Sequence, residues 1–264
     1  EISCSLVGSE MCIRDSPRTL LPEMKYSFLQ CGDGAVTVCF SNEISEAANS
    51  CVTEFVRIAK QKKIKGIIEF IPAFSSATVI YDSCIISHNE LIPELKRIIK
   101  HIKASGKKAR RLFKIPVCYD GDFAPDMETV CRHTGLSKEK VIAIHSEKAY
   151  LIYMLGFLPG FAYLGGMDKR ISCPRLDSPR ISIPSGSVGI GGEQTGIYPI
   201  SSPGGWQLIG KTPIKVYDKS ADDPILYRAG DCIKFEPVSQ SDFFEIEKLI
   251  ESGKYKADIG EVRL

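Results

Sequence analysis

The sequence predicts an α+β chain of two regions, an N-terminal ferredoxin-like α/β sandwich and a C-terminal β-rich barrel or sandwich. Three observations carry this prediction. From residue 24 to about 104, strand-like and helix-like periods alternate in the order β-α-β-β-α-β once an initial strand is set aside. Between Gly156 and Pro213 lie 12 of the 22 glycines and 7 of the 15 prolines, a density that long helices do not survive. Hydrophobic residues make up 44% and charged residues 25% of the 264 positions, which excludes disorder and fibre.

Residues 1–23 read as a non-native leader. They have no helical or alternating period, no basic n-region and no uninterrupted apolar core of a signal peptide. Their segment SLVGSEMCIRDS resembles a translated sequencing-adapter scar, and Met24-Lys25-Tyr26 is a natural start. The N-terminal region then spans 24–104. Strands are predicted at 26–31 and 35–40, joined by the hairpin signal Gly32-Asp33-Gly34. A helix follows over 44–63, with apolar residues at 44, 48, 52, 55, 56 and 59. Ser41 or Asn42 is its expected cap, Lys60, Lys62 and Lys63 suit its C-terminal dipole, and Gly66 ends it. Strands at 67–71 and 78–81 precede a second helix over 89–102, with Pro93 in its first turn. Residues 105–111 are polar and charged and read as the linker.

The second region spans 112–240, opening on a strand at 112–118, with a short helix near 126–133 and another beginning near Ser137. Short strands with tight turns fill the Gly- and Pro-rich stretch. Later strands are predicted at 214–217, 225–227 and 232–235, and a helix over 243–250 opens the final segment, 241–264.

Composition excludes several function classes. The net charge is +2 and the basic residues form no stripe beyond residues 107–111, so a nucleic-acid partner is not expected. No run of about 18 apolar residues is present, so no membrane span is expected. The ten cysteines contain no C-x-x-C and scatter among apolar segments, which reads as free, mostly buried thiols in a reducing, cytoplasmic compartment. The four histidines make no zinc pattern, and no metal site is expected.

Gly205-Trp206-Gln207-Leu208-Ile209-Gly210-Lys211-Thr212 satisfies G-x-x-x-x-G-K-[ST] literally. A phosphate-binding loop of that pattern must open a helix. Here Pro213 follows at once and 214–217 alternates like a strand, so the match reads as a turn and a strand. The stretch 185–196 is a second Gly-rich segment, either a hairpin that needs positive φ or a ligand loop presenting Gln194, Thr195 and Tyr198. His145 ends the apolar run Val141-Ile142-Ala143-Ile144. At a strand end it reads as structural, and its near-neutral pKa also makes it the best general base on offer. Arg175 and Arg180 suit phosphate or carboxylate, or lie on the surface. Trp206 reads as core or as an interface anchor.

Leu155-Gly156-Phe157-Leu158-Pro159-Gly160-Phe161-Ala162-Tyr163-Leu164-Gly165-Gly166 is a specific motif. Pro184-Ser185-Gly186-Ser187-Val188-Gly189-Ile190-Gly191-Gly192, Gln194-Thr195-Gly196-Ile197-Tyr198-Pro199, Ser202-Pro203-Gly204-Gly205-Trp206 and Ile209-Gly210-Lys211-Thr212-Pro213 follow in order. Together they resemble the bacterial family of 5-oxoprolinase B subunits, also known as the sporulation-kinase inhibitor (KipI) family and the allophanate hydrolase subunit 1 domain. The resemblance covers about residues 26–240. It implies an α+β N-terminal domain and a cyclophilin-like β-barrel C-terminal domain. It also implies ATP-dependent conversion of 5-oxo-L-proline to L-glutamate, together with the A and C subunits of 5-oxoprolinase. ATP, with Mg2+, is then held by this chain or by the complex. Under that reading His145 and Gln194 are the candidate catalytic residues, and Ser185, Thr195, Tyr198, Ser202 and Arg180 the candidate substrate-binding residues. Other readings are a protein inhibitor of a sporulation histidine kinase, and prolyl isomerisation on the barrel.

Overall fold

The computed structural model describes residues 26–43, 45–102 and 109–263. The leader expected over 1–23 and residues 105–108 of the expected linker lie outside the described residues. Among the described residues no helix is long and apolar enough to cross a membrane.

β1 (Ser27–Gln30) and β2 (Ala35–Cys39) form the predicted hairpin, and Gly32 supplies the positive φ of 64° that its turn needs. α1 (Glu46–Lys62) is capped by Ser45, whose Oγ accepts the Ala48 N–H at 3.2 Å. The caps expected at Ser41 or Asn42 are displaced because Ser41 Oγ closes its own turn on the Glu43 N–H. The helix ends on Lys63 in the left-handed region, three residues before Gly66. β3 (Ile67–Pro72), β4 (Ser76–Tyr81) and α2 (His88–Lys100) complete the region. A capping box of Ser87 and Glu90 starts α2 at His88, so Pro93 falls beyond the first turn expected for it.

The sheet order is β1-β2-β4-β3, all antiparallel. Val36, Val38, Ala77 and Val79 point from one face into α1 and α2, where Val52, Phe55, Leu91 and Leu95 close a core. The β-α-β-β-α part of the predicted order is present, but its last strand is not. β5 (Ala109–Val117) leaves this sheet, and β1 occupies the position beside β2. The reason lies in its partners: β5 pairs in parallel with β13 (Cys232–Pro237) and antiparallel with β14 (Asp258–Arg263). Those same pairs draw Ala109–Arg111, expected as linker, into the strand.

β5 heads a second assembly. α3 (Met127–Thr134) and α4 (Lys138–Ser146) follow it, then β6 (Tyr150–Leu155) and β7 (Ala162–Gly165). His145 therefore lies on a helix and not at a strand end, because Ser137 caps Lys140 and starts α4. The larger sheet runs β14-β5-β13-β6-β7. The Gly- and Pro-rich stretch gives β8 (Arg180–Ile183), β9 (Ser187–Gly191), β10 (Gln194–Ile197), β11 (Ser202–Gly204) and β12 (Gln207–Lys211). These pair as β10-β9-β12 and β11-β8, and a Cys118–Lys211 bridge ties β12 to the end of β5. The sheets face one another across a core containing Phe113, Ile152, Val188, Ile190, Ile209 and Phe235. Their hydrogen-bonded ladders form separate sheets and do not close into one barrel.

Two expected strands shrink to one bridge, Tyr217 to Ile225. Pro213 and Pro224 cannot donate, and the chain between turns on Asp218, whose carboxylate accepts the Ser220 N–H and hydroxyl. α5 (Gln240–Glu251) begins earlier than expected, on a capping box of Ser239 and Asp242. The eight described cysteines are all free thiols, and Cys51, Cys118, Cys173 and Cys232 are buried.

One buried polar side chain joins the two cores. Asn49 of α1 donates through Nδ2 to the carbonyls of Ala73 and Phe74 and to Tyr153 on β6, at 3.4, 3.3 and 3.2 Å. Beside it, the Phe74 ring stands edge-on to Tyr153 and Tyr163.

Candidate functional site

The signature motifs converge on a small aromatic cluster outside the main core. Phe161, from the β6–β7 connection, meets Tyr198 and Trp206 edge-on, with ring centroids 5.6 and 5.5 Å apart. Ile183 and Leu208 fill the space beneath. Such ring pairs each contribute about 0.5–1.5 kcal/mol beyond burial. Gly191 on β9 explains part of the glycine density: a Cβ there would run into the Trp206 indole. Trp206, the single tryptophan, is thus a core residue, with the Arg175 guanidinium 6.0 Å above its ring.

Phe157 is displayed over this cluster. It is 65% exposed, stands edge-on to Phe161, and holds a φ of 65°. The Leu158 N–H donates to the Gly156 carbonyl at 2.7 Å, so Phe157 sits at the centre of a three-residue turn. Left-handed φ at a bulky residue stores strain, and strain of this kind clusters at functional sites.

Arg180 and Asp126 brace the other side. Arg180 Nη2 donates to Asp126 Oδ1 at 2.6 Å, and Arg180 Nη1 reaches the Trp206 carbonyl at 3.5 Å. Asp126 Oδ2 accepts the Leu208 N–H at 2.6 Å, and the Asp126 N–H donates back to the Leu208 carbonyl. This links the start of α3 to β8 and β12. No spacing or motif in the sequence marks Asp126 for this pairing.

His145 lies beneath β10. It is fully buried and stacks on Phe235, with centroids 4.5 Å apart. Its Nε2 is 2.8 Å from Thr195 Oγ1, and its Nδ1 is 2.8 Å from the Tyr119 hydroxyl. Thr195 spends its single proton on the Gly189 carbonyl at 3.0 Å. Thr195 must therefore accept from His145 Nε2–H, and Tyr119 donates to Nδ1, which assigns a neutral tautomer from the network. Desolvation agrees, lowering the His145 pKa to about 3. The Tyr119 hydroxyl is likewise pushed well up by burial.

The other candidates are spread around this frame. Ser185 Oγ donates to the Pro199 carbonyl at 2.8 Å. The Tyr198 hydroxyl is raised in pKa by desolvation, opposed by a hydrogen bond from the Trp206 backbone. Ser202 Oγ is buried with no partner among the described residues, as is Gln207 Oε1, while Gln207 Nε2 donates to the Pro174 carbonyl. Gln194 is half-buried at the start of β10, opposite Gly191. His145 and Thr195 are thus in contact. Tyr198 and Arg180 meet at Trp206, and Ser185 is tied to the residue after Tyr198. Gln194 stands at the far end of β10 from Tyr198.

The fit of this chain to ATP and Mg2+ can be tested on its donors. Residues Gln207–Lys211 of the G-x-x-x-x-G-K-[ST] match form β12, so no helix N-terminus lies behind them to receive phosphate. Among the described residues no three of His, Cys, Asp or Glu gather as metal ligands. These residues do not fit a nucleotide–metal site, and no step is derived through one.

Residues 26–227 match the family model described as carboxyltransferase domain, subdomain C and D. The chain is 46% identical over 230 residues to the B subunit of 5-oxoprolinase from Bacillus subtilis (strain 168), covering 83% of this chain and 96% of that protein. The chain belongs to the family of 5-oxoprolinase B subunits. Among solved structures, this family member is similar to TTHA0988 at a TM-score of 0.68 and 33% identity, over 78% of this chain and 40% of that one. It also matches the Kluyveromyces lactis urea carboxylase at a TM-score of 0.76 and 22% identity, which is a likeness of fold. That match covers 96% of this chain and 25% of the urea carboxylase.

Proposed function

We propose that this chain is the B subunit of an ATP-dependent 5-oxoprolinase, acting in the cytoplasm with the A and C subunits to open 5-oxo-L-proline to L-glutamate. The supporting observation is 46% identity over nearly the whole length of a protein named as the B subunit of 5-oxoprolinase. The net reaction opens the lactam C–N bond with water and is coupled to hydrolysis of ATP to ADP and phosphate, which offsets the slowness that resonance gives the uncoupled amide. ATP and Mg2+ are then held by the assembled complex, a reading supported by the poor fit of this chain's described residues to a nucleotide–metal site.

In this reading the chain supplies half a site on a cyclophilin-like second domain behind an N-terminal domain (24–104), and β14 of the C-terminal segment pairs with β5 of that second domain. The aromatic face with Tyr198, Ser202, Ser185 and Arg180 meets the substrate and a partner protein of the complex. His145 and Gln194 form its catalytic side. His145, neutral and bonded at both nitrogens, orients Thr195 and with it β10. For it to take a proton, β10 would have to lift.

The test is a reconstitution. The chain is purified with the C subunit and mixed with the A subunit, and 5-oxoproline-dependent ATP hydrolysis is followed. Activity that requires this chain, and falls in His145→Ala and Gln194→Ala, is the expected result. Turnover indifferent to the chain overturns the reading, and binding to the dimerisation helices of a histidine kinase is then the reading to test.

A further inference from the structure

β3 is an edge of the N-terminal sheet. β4 pairs along one side, and among the described residues no strand pairs along the other. An open edge offers a row of backbone donors and acceptors to any extended chain. Sheets usually protect such edges with charge. β3 carries one charge, Glu69, and ends on Pro72, but it also shows Ile68 and Ile71, which are 68% and 46% exposed. A register shift between Ile67 and Glu69 turns the strand at Ile68.

A groove of about 310 Å3 runs where the side chains of an added strand would lie, between this edge and the end of α1. Ala59, Ile64, Ile67 and Phe70 give it an apolar floor, and the exposed Lys60 and Lys63 stand at its rim. Lys62 and Lys65 are exposed beside them. None of the four lysines makes an ion pair among the described residues, and Glu69 is the one acidic residue lining the groove. Lys63 takes a left-handed φ of 48° at the helix end, a position that glycine fills at less cost. The local geometry therefore holds a cation where strain argues for a glycine.

The other free edges differ. β1 is four residues long with Leu29 as its large exposed apolar side chain. β14 exposes Ile259 but carries three charges, Asp258, Glu261 and Arg263, which oppose promiscuous pairing.

We propose that the β3 edge is a strand-addition site for an extended segment of a partner protein that alternates aliphatic with acidic residues. Backbone hydrogen bonds to β3 hold it, an aliphatic side chain enters the groove, and carboxylates face Lys60 and Lys63. A second copy of this chain is the wrong occupant. Its β3 would bring a single carboxylate, Glu69, to the four lysines, together with Pro72, which cannot donate to the ladder.

Blocked synthetic peptides alternating Val with Glu, or Val with Lys, are the probes, titrated onto the full chain by fluorescence anisotropy. The Val–Glu peptide should bind at least about tenfold more tightly than the Val–Lys peptide, and the gap should shrink with added salt. It should slow hydrogen exchange of the Ile68–Ile71 amides that face away from β4. An N-methylated Val–Glu peptide, unable to donate backbone hydrogen bonds, should lose binding. The double variant Lys60→Glu, Lys63→Glu alters exposed positions alone and should reverse the preference between the peptides. Equal affinity for both peptides overturns the proposal, and so does protection that maps to β1 or β14. Protection of β3 that rises with protein concentration in the absence of peptide also overturns it, because that is self-pairing.

Discussion

Replacing Gly191 by Ala tests whether the glycines of the signature motifs exist to seat the Trp206 indole. The added Cβ meets Nε1, Cδ1 and Cε2 of that ring, all inside contact distance. Trp206 cannot simply withdraw. Tyr198 and Phe161 stand against its edges, and its carbonyl is held by Arg180. Overpacking a fixed core position costs about 1–3 kcal/mol, and the rigid ring argues for about 2 kcal/mol. For a chain of this size that lowers the midpoint of thermal unfolding by about 4–8 °C. Trp206 is the single tryptophan, so its emission reports the displacement directly. Gly191→Ala should shift the emission to longer wavelength and lower the midpoint. Gly260→Ala is the control: a Cβ there meets nothing within 4 Å, and the change should stay within about 0.5 kcal/mol. An unshifted emission with an unchanged midpoint in Gly191→Ala would refute the packing argument.

His145 makes stability depend on pH. The unfolded chain takes up its proton near the ordinary value of 6.5, and the folded chain only near 3, so the unfolded state binds more protons between these limits. The stability held above pH 6.5 should drain away as pH falls toward 3, by on the order of 5 kcal/mol in all. His145→Phe should flatten that slope in denaturant titrations, and an unchanged slope would contradict a buried neutral imidazole. Arg180→Ala should cost about 2 kcal/mol, below the usual loss for a broken buried pair because the Arg180 side chain is 30% exposed. Chemical denaturation measures this loss. In the reconstituted complex, a rise in KM at temperatures where the variant stays folded separates substrate contact from bracing.

The N-terminal region was legible because its signals are local. The alternation around Val36, Val38, Ala77 and Val79 and the helical spacing through Val52 and Phe55 each fit within one element. The failure came where pairing is distant. Nothing near β5 announces that Phe113 will lie beside Ile233 and Ile259. In Asp258–Arg263 the apolar Ile259 and Val262 fall on opposite faces of the strand, so no clean period of two marks β14. The motifs located the candidate site, but not the work of its glycines. Density of glycine argues for turns, whereas Gly191 lies inside a strand and is explained by a ring that arrives from the start of β12. Phe157 and Asp126 were equally hidden: a positive φ and a carboxylate shared between a guanidinium and a backbone amide are properties of the assembled chain.

The placement of β5 between β14 and β13 has a consequence for synthesis on the ribosome. The N-terminal sheet draws every strand from residues 27–81 and can form as soon as α2 has emerged. β5 ends at Val117, while its two neighbours begin at Cys232 and Asp258. At ordinary elongation rates β5 waits on the order of ten seconds with both flanks bare. Throughout that interval Phe113, Ile115 and Val117 have no partner strand, so the nascent chain is at its most adhesive in its middle, after its first domain has folded and before its second can.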